Sequence, residues 1–169
     1  MQVLWIANFR QIKQPDVFVK LAKECRHTGV RFIMLGRTQG YEKLVAKAES
    51  YGVEVLGEVS NDDVNLLLEK SHVLVNTSIQ EGFSNTFIQA WMRRAPVVSL
   101  HVDPDGILQR EKIGSNCSGC FGRLVKETER LIRDHDLRNQ MGANARTYAV
   151  KNYSLTNFSK ILCLMEDYR

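Results

Sequence analysis

Glu81 and Gly82 sit inside the stretch NTSIQEGFSNTFIQAW (76–91), where an apolar run ends and a polar Ser84-Asn85-Thr86 leads into a helical pattern. A carboxylate accepts hydrogen bonds only, so Glu81 suits hydroxyl donors such as those of a sugar. Gly82 lets a ligand approach the backbone closely. With a helix beginning at Ser84 to Thr86, the free N–H groups of its first turn and the helix dipole form an anion site suited to phosphate. Gln89 lies one turn further on, and helical side chains lean back toward the N-terminus, so it reaches the same place with a donor and an acceptor. Thr86 and Gln89 also have the spacing of a capping box, in which Gln89 would serve its own helix.

Other constellations carry less chemistry. The carboxylates of DPDG (103–106) are explained by a turn. CSGC (117–120) lacks the second half of a zinc site and sits late in the chain, in a loop, where a redox pair would open a helix after a first strand. Cys25 and Cys163 fall on apolar helix faces and read as core. The four histidines are scattered, with no ligand pair at helical spacing, and no Ser-His-Asp or Cys-His set stands out.

The elements that position the Glu-Gly corner follow from periodicity. Apolar, β-rich runs occur at 3–8, 31–36, 53–57, 72–78 and 96–100, nearly continuous rather than alternating, as for parallel strands buried on both faces. Helical patterns lie between them. In QPDVFVKLAKEC (14–25), Val17, Phe18, Leu21, Ala22 and Cys25 share one face, and Pro15 suits a first helical position. Further helices are expected near 40–50, 62–70, 86–94, 123–134, 136–151 and 155–167, with a Gly/Ser/Cys-rich loop over 114–122. This alternation specifies an α/β fold, a doubly wound, Rossmann-like parallel sheet, as a single domain. Ligands in such sheets bind beyond the carboxyl ends of the strands, so the chemistry belongs to loops 8–13, 36–40, 57–63, 78–86 and 101–106.

The 169 residues, 44% hydrophobic and 25% charged, are ordinary for a globular domain. No segment approaches the roughly 20 apolar residues of a membrane span, and no charged-then-apolar signal peptide with a cleavage site is expected. The net charge of +4 is spread over both halves, which does not argue for nucleic acid and suits phosphorylated ligands or an anionic membrane surface. Four cysteines do not form a disulfide framework, so a reducing, cytoplasmic setting is expected.

The sequence resembles the nucleotide-binding, C-terminal half of GT-B glycosyltransferases of the large retaining family four, also called group 1. That family carries a glutamate, seven intervening residues and a second glutamate, beginning EGF and followed by an apolar helix. Here Glu81-Gly82-Phe83 opens the motif, Gln89 stands where the second glutamate belongs, and Pro96-Val97-Val98 follows. The late segment LRNQMGANAR (137–146) and Tyr153 extend the likeness over nearly the whole chain.

The resemblance implies that Glu81 touches donor-sugar hydroxyls and that the amides of Phe83, Ser84 and Asn85 line the sugar and diphosphate, beside Gly82 and Thr86. Gln89 would meet the ribose, more weakly than a glutamate, since a neutral hydrogen bond contributes about 0.5–1.5 kcal/mol against about 1.5–3 for a charged one. Arg10 and Lys13 would neutralise the departing diphosphate, although as bare sequence they also read as surface charges. Gly36, Glu58 and Val59 fall where the family meets sugar and base. The family implies no metal in the protein and no cofactor, the donor being a nucleoside-diphosphate sugar such as a UDP- or GDP-hexose.

The expectation is therefore that residues 1–169 are a donor-binding domain of a retaining hexosyltransferase. The glycan or lipid-linked acceptor would be held by an N-terminal domain absent from this chain, which enters its first strand at once. The whole protein would be cytoplasmic, with peripheral contact at the inner membrane face. Two alternatives remain: a non-catalytic nucleotide or nucleotide-sugar binding module, which Gln89 favours, and a Rossmann oxidoreductase, which fares badly because ANFRQIKQP and not a glycine-rich turn follows the first strand.

Overall fold

The computed structural model describes residues 1–82 and 84–153. The helix expected at 155–167, Cys163 and Phe83 lie outside the described residues. In chain order the elements are β1 (Gln2–Ile6), α1 (Pro15–Cys25), β2 (Arg31–Leu35), α2 (Glu42–Ser50), β3 (Val53–Val55), α3 (Asn61–Glu69), β4 (Val73–Asn76), α4 (Asn85–Met92), β5 (Val97–Ser99), α5 (Ile107–Arg110), β6 (Gly114–Asn116), α6 (Phe121–Arg133) and α7 (His135–Tyr153). A 3-10 turn, Gln11–Lys13, precedes α1. The strands pair in parallel in the order β3-β2-β1-β4-β5-β6, a Rossmann-like α/β sheet.

The apolar runs are continuous because both faces of the sheet are covered. Val3, Trp5, Phe32 and Met34 point into one core with Phe18, Leu21 and Leu131. Leu4, Ile33, Leu35 and Leu74 point into the other with Phe87, Trp91, Ile107 and Ala149. The chain builds β1, β2 and β3 outward in one direction, then returns to lay β4 on the other side of β1. The order reverses between β1 and β4, and the crevice that such a reversal opens lies at their carboxyl ends.

The span 114–122 is not a loop throughout. Gly114–Asn116 forms β6 against β5, and α6 starts at Phe121. Gly, Ser and Asn have little strand propensity, so tertiary pairing decides here. Gly114 is required by that pairing, since a Cβ would lie 2.1 Å from the Val97 carbonyl oxygen. CSGC occupies the turn from β6 to α6, where the Cys120 N–H donates to the Cys117 carbonyl at 3.0 Å. Cys117 is buried, which pushes its thiol up to about 11. Among the described residues no cluster of three or more His, Cys, Asp or Glu could hold a metal ion, and no helix is long and apolar enough to cross a membrane.

The LRNQMGANAR segment is explained by packing of α7. Arg138 is buried and donates to the Leu131 and Ile132 carbonyls at 2.7 and 3.2 Å, satisfying the open end of α6. Gly142 lets α7 pass the turn after α4, where a Cβ would come within 2.3 Å of the Arg94 carbonyl oxygen. Arg146 donates to the Met92 carbonyl, at the end of α4. Gly142→Ala is expected to force α7 off α4 and lower stability by about 1–3 kcal/mol, as overpacking does. Urea unfolding followed by circular dichroism would report this, and an unchanged midpoint would contradict the packing role.

Candidate functional site

The loops after β1 and β4 face each other across the reversal point. Gln11–Lys13 follows β1, and residues 77–84 lead from β4 into α4. Thr77 is fully buried where the two loops meet, and its hydroxyl accepts from Trp5 Nε1 at 2.8 Å. The same hydroxyl shares its proton between the carbonyls of Lys13 at 2.6 Å and Gln14 at 3.0 Å. Gln14 takes a left-handed conformation, φ 47° and ψ 55°, which turns the chain into Pro15 and α1. The Ile79 N–H also donates to the Ile12 carbonyl at 2.9 Å.

Glu81 stands where these loops converge. Lys13 Nζ lies 3.0 Å from its Oε1, with both side chains largely covered. Asn76 Nδ2 donates to the same oxygen at 2.9 Å, and the Ser78 hydroxyl donates to it as well. Burial pushes the Glu81 carboxyl up. The hydrogen bonds from Ser78, Asn76 and Lys13, with the Lys13 charge, outweigh it and hold the group below the usual carboxylate range. Glu81 is therefore an anion at neutral pH. Its Oε2 accepts no hydrogen bond among the described residues.

Helix α4 begins at Asn85 with Ser84 as its N-cap, and the cap side chain gives no hydrogen bond to the helix. Ser84 Oγ instead meets Thr86 Oγ1 at 2.8 Å. Among the described residues the N–H groups of Asn85 and Thr86 have no acceptor, so the first turn offers free donors and the positive end of the helix dipole. A cleft of ≈ 360 Å³ opens onto them, lined by Arg10, Lys13, Glu81, Ser84, Asn85 and Thr86 together with Ile6, Ala7 and Asn8. Arg10 is exposed and forms no ion pair among the described residues.

A second pocket of ≈ 240 Å³ shares Ile6, Ala7, Asn8 and Thr86 with the first and continues toward Gly36, Glu58 and Val59. Gly36 is held against β1. Its φ is 135°, and a Cβ would lie 1.9 Å from the Ala7 carbonyl oxygen. The Ala7 N–H donates to Leu35 O at 3.0 Å and the Arg37 N–H to Asn8 Oδ1 at 3.1 Å, closing the pocket wall. Glu58 pairs with Arg37 in two hydrogen bonds of 3.0 and 3.2 Å, which hold its carboxyl below the usual range. Both side chains are exposed, so this pair adds little stability.

Nine of the expected residues thus line these two pockets along one edge of the sheet, and two others do not. Gly82 borders a neighbouring hollow with Glu81, His101 and Asp103. Open space surrounds the place a Gly82 side chain would take, so the fold itself does not require glycine there. Gln89 lines neither pocket, and its Nε2 donates to Asn61 Oδ1 at 2.8 Å, at the start of α3. That bond and the N-cap at Ser84 exclude the capping box with Thr86. Phe83 lies outside the described residues. Sequence reasoning missed Asn8, Asn76, Thr77 and Ser78. The only signal for the last three was a polar triplet interrupting an apolar strand immediately before Glu81.

Comparison with known proteins agrees with this architecture. The family Glycosyl transferases group 1 matches residues 1–134. "Glycosyltransferase 1 domain-containing protein 1" of Xenopus tropicalis is 23% identical over 103 residues, 61% of this chain and 30% of that protein. Trehalose synthase of Thermococcus litoralis is 29% identical over 127 residues, 69% of this chain and 29% of the enzyme. The chain therefore spans less than a third of the length of these curated relatives. A crystal structure of Anabaena HepE in complex with UDP and glucose shares the fold with a TM-score of 0.84 at 17% identity, covering 99% of this chain and 48% of that one. With a family match across most of its length, on a Rossmann-like sheet of the GT-B type, this chain belongs to the group 1 glycosyl transferases.

Proposed function

We propose that this chain is the donor-binding half of a retaining hexosyltransferase, and that the cleft between the β1 and β4 loops takes a nucleoside-diphosphate sugar. The observation that carries the reading is the meeting, in one cleft, of the Lys13–Glu81 pair, the exposed Arg10 and the first turn of α4, whose N-cap side chain leaves the amides open. The diphosphate rests on the amides of Asn85 and Thr86, with Arg10 and Lys13 beside it. Glu81 accepts from sugar hydroxyls through Oε2, and the backbone at Gly82 admits the sugar because glycine carries no side chain of its own. The pocket at Gly36, Glu58 and Val59 takes the base. The bound UDP and glucose of HepE, which shares this fold, support the choice of ligand class.

As the sugar–phosphate bond breaks, negative charge grows on the departing diphosphate. Arg10, Lys13 and the helix amides are already aimed at it, so this stabilisation costs little rearrangement at the moment of reaction. Glu81 keeps the sugar oriented and is itself locked by Asn76, Ser78 and Lys13. The glycan or lipid-linked acceptor is held by a second domain, in a cytoplasmic enzyme that meets the inner face of the membrane peripherally.

A second reading, a binding module without catalysis, draws on Gln89, which is neutral and engaged with Asn61. The two readings differ in what the longer protein does. This chain alone is expected to bind donor and transfer no sugar, because bringing two reactants into geometry contributes about 7–11 kcal/mol of barrier reduction and needs the acceptor domain. Sugar transfer by the longer protein separates an enzyme from a module. Acceptor-dependent turnover by residues 1–169 alone would overturn the division of labour.

Arg10→Ala and Lys13→Ala are expected to weaken UDP or GDP binding about 10–100-fold, the value of a charged hydrogen bond, while changing nucleoside binding little. Isothermal titration with each nucleotide and its nucleoside measures both. Equal losses for the two ligands would remove the phosphates from these side chains.

A further inference from the structure

Thr77 has no place in the ligand contacts above, and it is fully buried. Its hydroxyl nevertheless joins two distant parts of the chain, the Trp5 indole on β1 and the turn after it, through the adjacent Lys13 and Gln14 carbonyls. We propose that Thr77 is a positioning residue, whose hydroxyl holds the Gln11–Gln14 turn so that the Lys13 ammonium is presented to Glu81 and to the diphosphate. The inference rests on the donor-binding reading for the second half of that statement and on geometry alone for the first.

The physical requirement is specific. The Lys13 backbone must stop at a fixed height above the sheet for its side chain to reach Glu81 Oε1 at 3.0 Å. The turn ends in the left-handed Gln14, a conformation that is unfavourable for a non-glycine residue and that the bulk of Pro15 further constrains. Such a turn persists only where its surroundings over-determine it. Thr77 meets this need by donating to both carbonyls at the bend while Trp5 Nε1 fixes the hydroxyl's own orientation. A hydroxyl with one proton and two lone pairs fits the site, and valine, of the same shape, fits its volume without the bonds.

The test is a double-mutant cycle read on Glu81. Carboxyl-carbon NMR titration of Glu81 is measured in wild type, T77V, T77S, Lys13→Met and the T77V/Lys13→Met double variant, with T77A beside T77V should the valine variant not fold. Against the push of burial, the hydrogen bonds from Ser78, Asn76 and Lys13, with the Lys13 charge, hold Glu81 below the usual carboxylate range in the intact site. T77V and T77A should move it upward, T77S should leave it in place, and T77V should add no further shift once Lys13 is gone. An equal shift in both backgrounds would mean that Thr77 acts through Ser78 or Asn76 and not through Lys13, which overturns the proposal. So would a folded T77V with Glu81 unmoved.

UDP and GDP affinities, set against uridine and guanosine, extend the test to the ligand. T77V should cost about tenfold for the diphosphates, little for the nucleosides, and T77S should restore the loss. A wild-type protein that binds neither diphosphate refutes the donor-binding reading, while the Glu81 titration still decides the role of Thr77.

Discussion

A carboxylate taken largely out of water is costly unless charge and hydrogen bonds meet it, and the region around Glu81 is organised by that requirement. Three donors converge on one of its oxygens, two from the end of β4 and one from the turn after β1. The satisfaction of one side chain therefore fixes the spacing of two loops far apart in sequence. It also leaves the second oxygen without a partner among the described residues, at the place where the cleft opens. A group that is both immobilised and half-satisfied is suited to orienting a ligand, because little rearrangement accompanies binding.

The helix that presents the free amides is steadied from behind. Trp91 on α4 packs edge-to-face with Tyr148 on α7, at 5.7 Å between ring centroids. Arg146 meets the last turn of α4, and Gly142 allows the two helices to approach. Helix α7 thus acts on the cleft without lining it. Arg138, by closing the end of α6, sets where α7 begins and so how it lies along α4.

The strands β1 to β5 were legible because burial on both faces leaves continuous apolar runs, and the Glu-Gly corner was legible because neither residue has a reason to follow such a run. What escaped was set by partners remote in sequence. Gly114–Asn116 carries no strand signal and becomes β6 only because Val97–Ser99 offers it a ladder. Thr77 reads as one more polar residue until Trp5 and Lys13 are folded around it. Gln89 has the spacing of a cap, and the nearness of Asn61 on α3 is invisible from a single helix.

The two margins of the sheet, β3 and β6, are short strands of three residues each. A margin of that length presents few unpaired N–H and C=O groups, and a passing chain finds little to add itself to. On β3 the Glu54 carboxylate is pinned outside by Arg31 in two hydrogen bonds of 2.7 Å, so a charge stands beside the exposed ladder. The apolar runs that make the interior so readable are also those most prone to self-association when exposed. Placing them in the middle of the sheet and ending it on short, charged or glycine-bearing segments disfavours edge-to-edge growth of the folded protein.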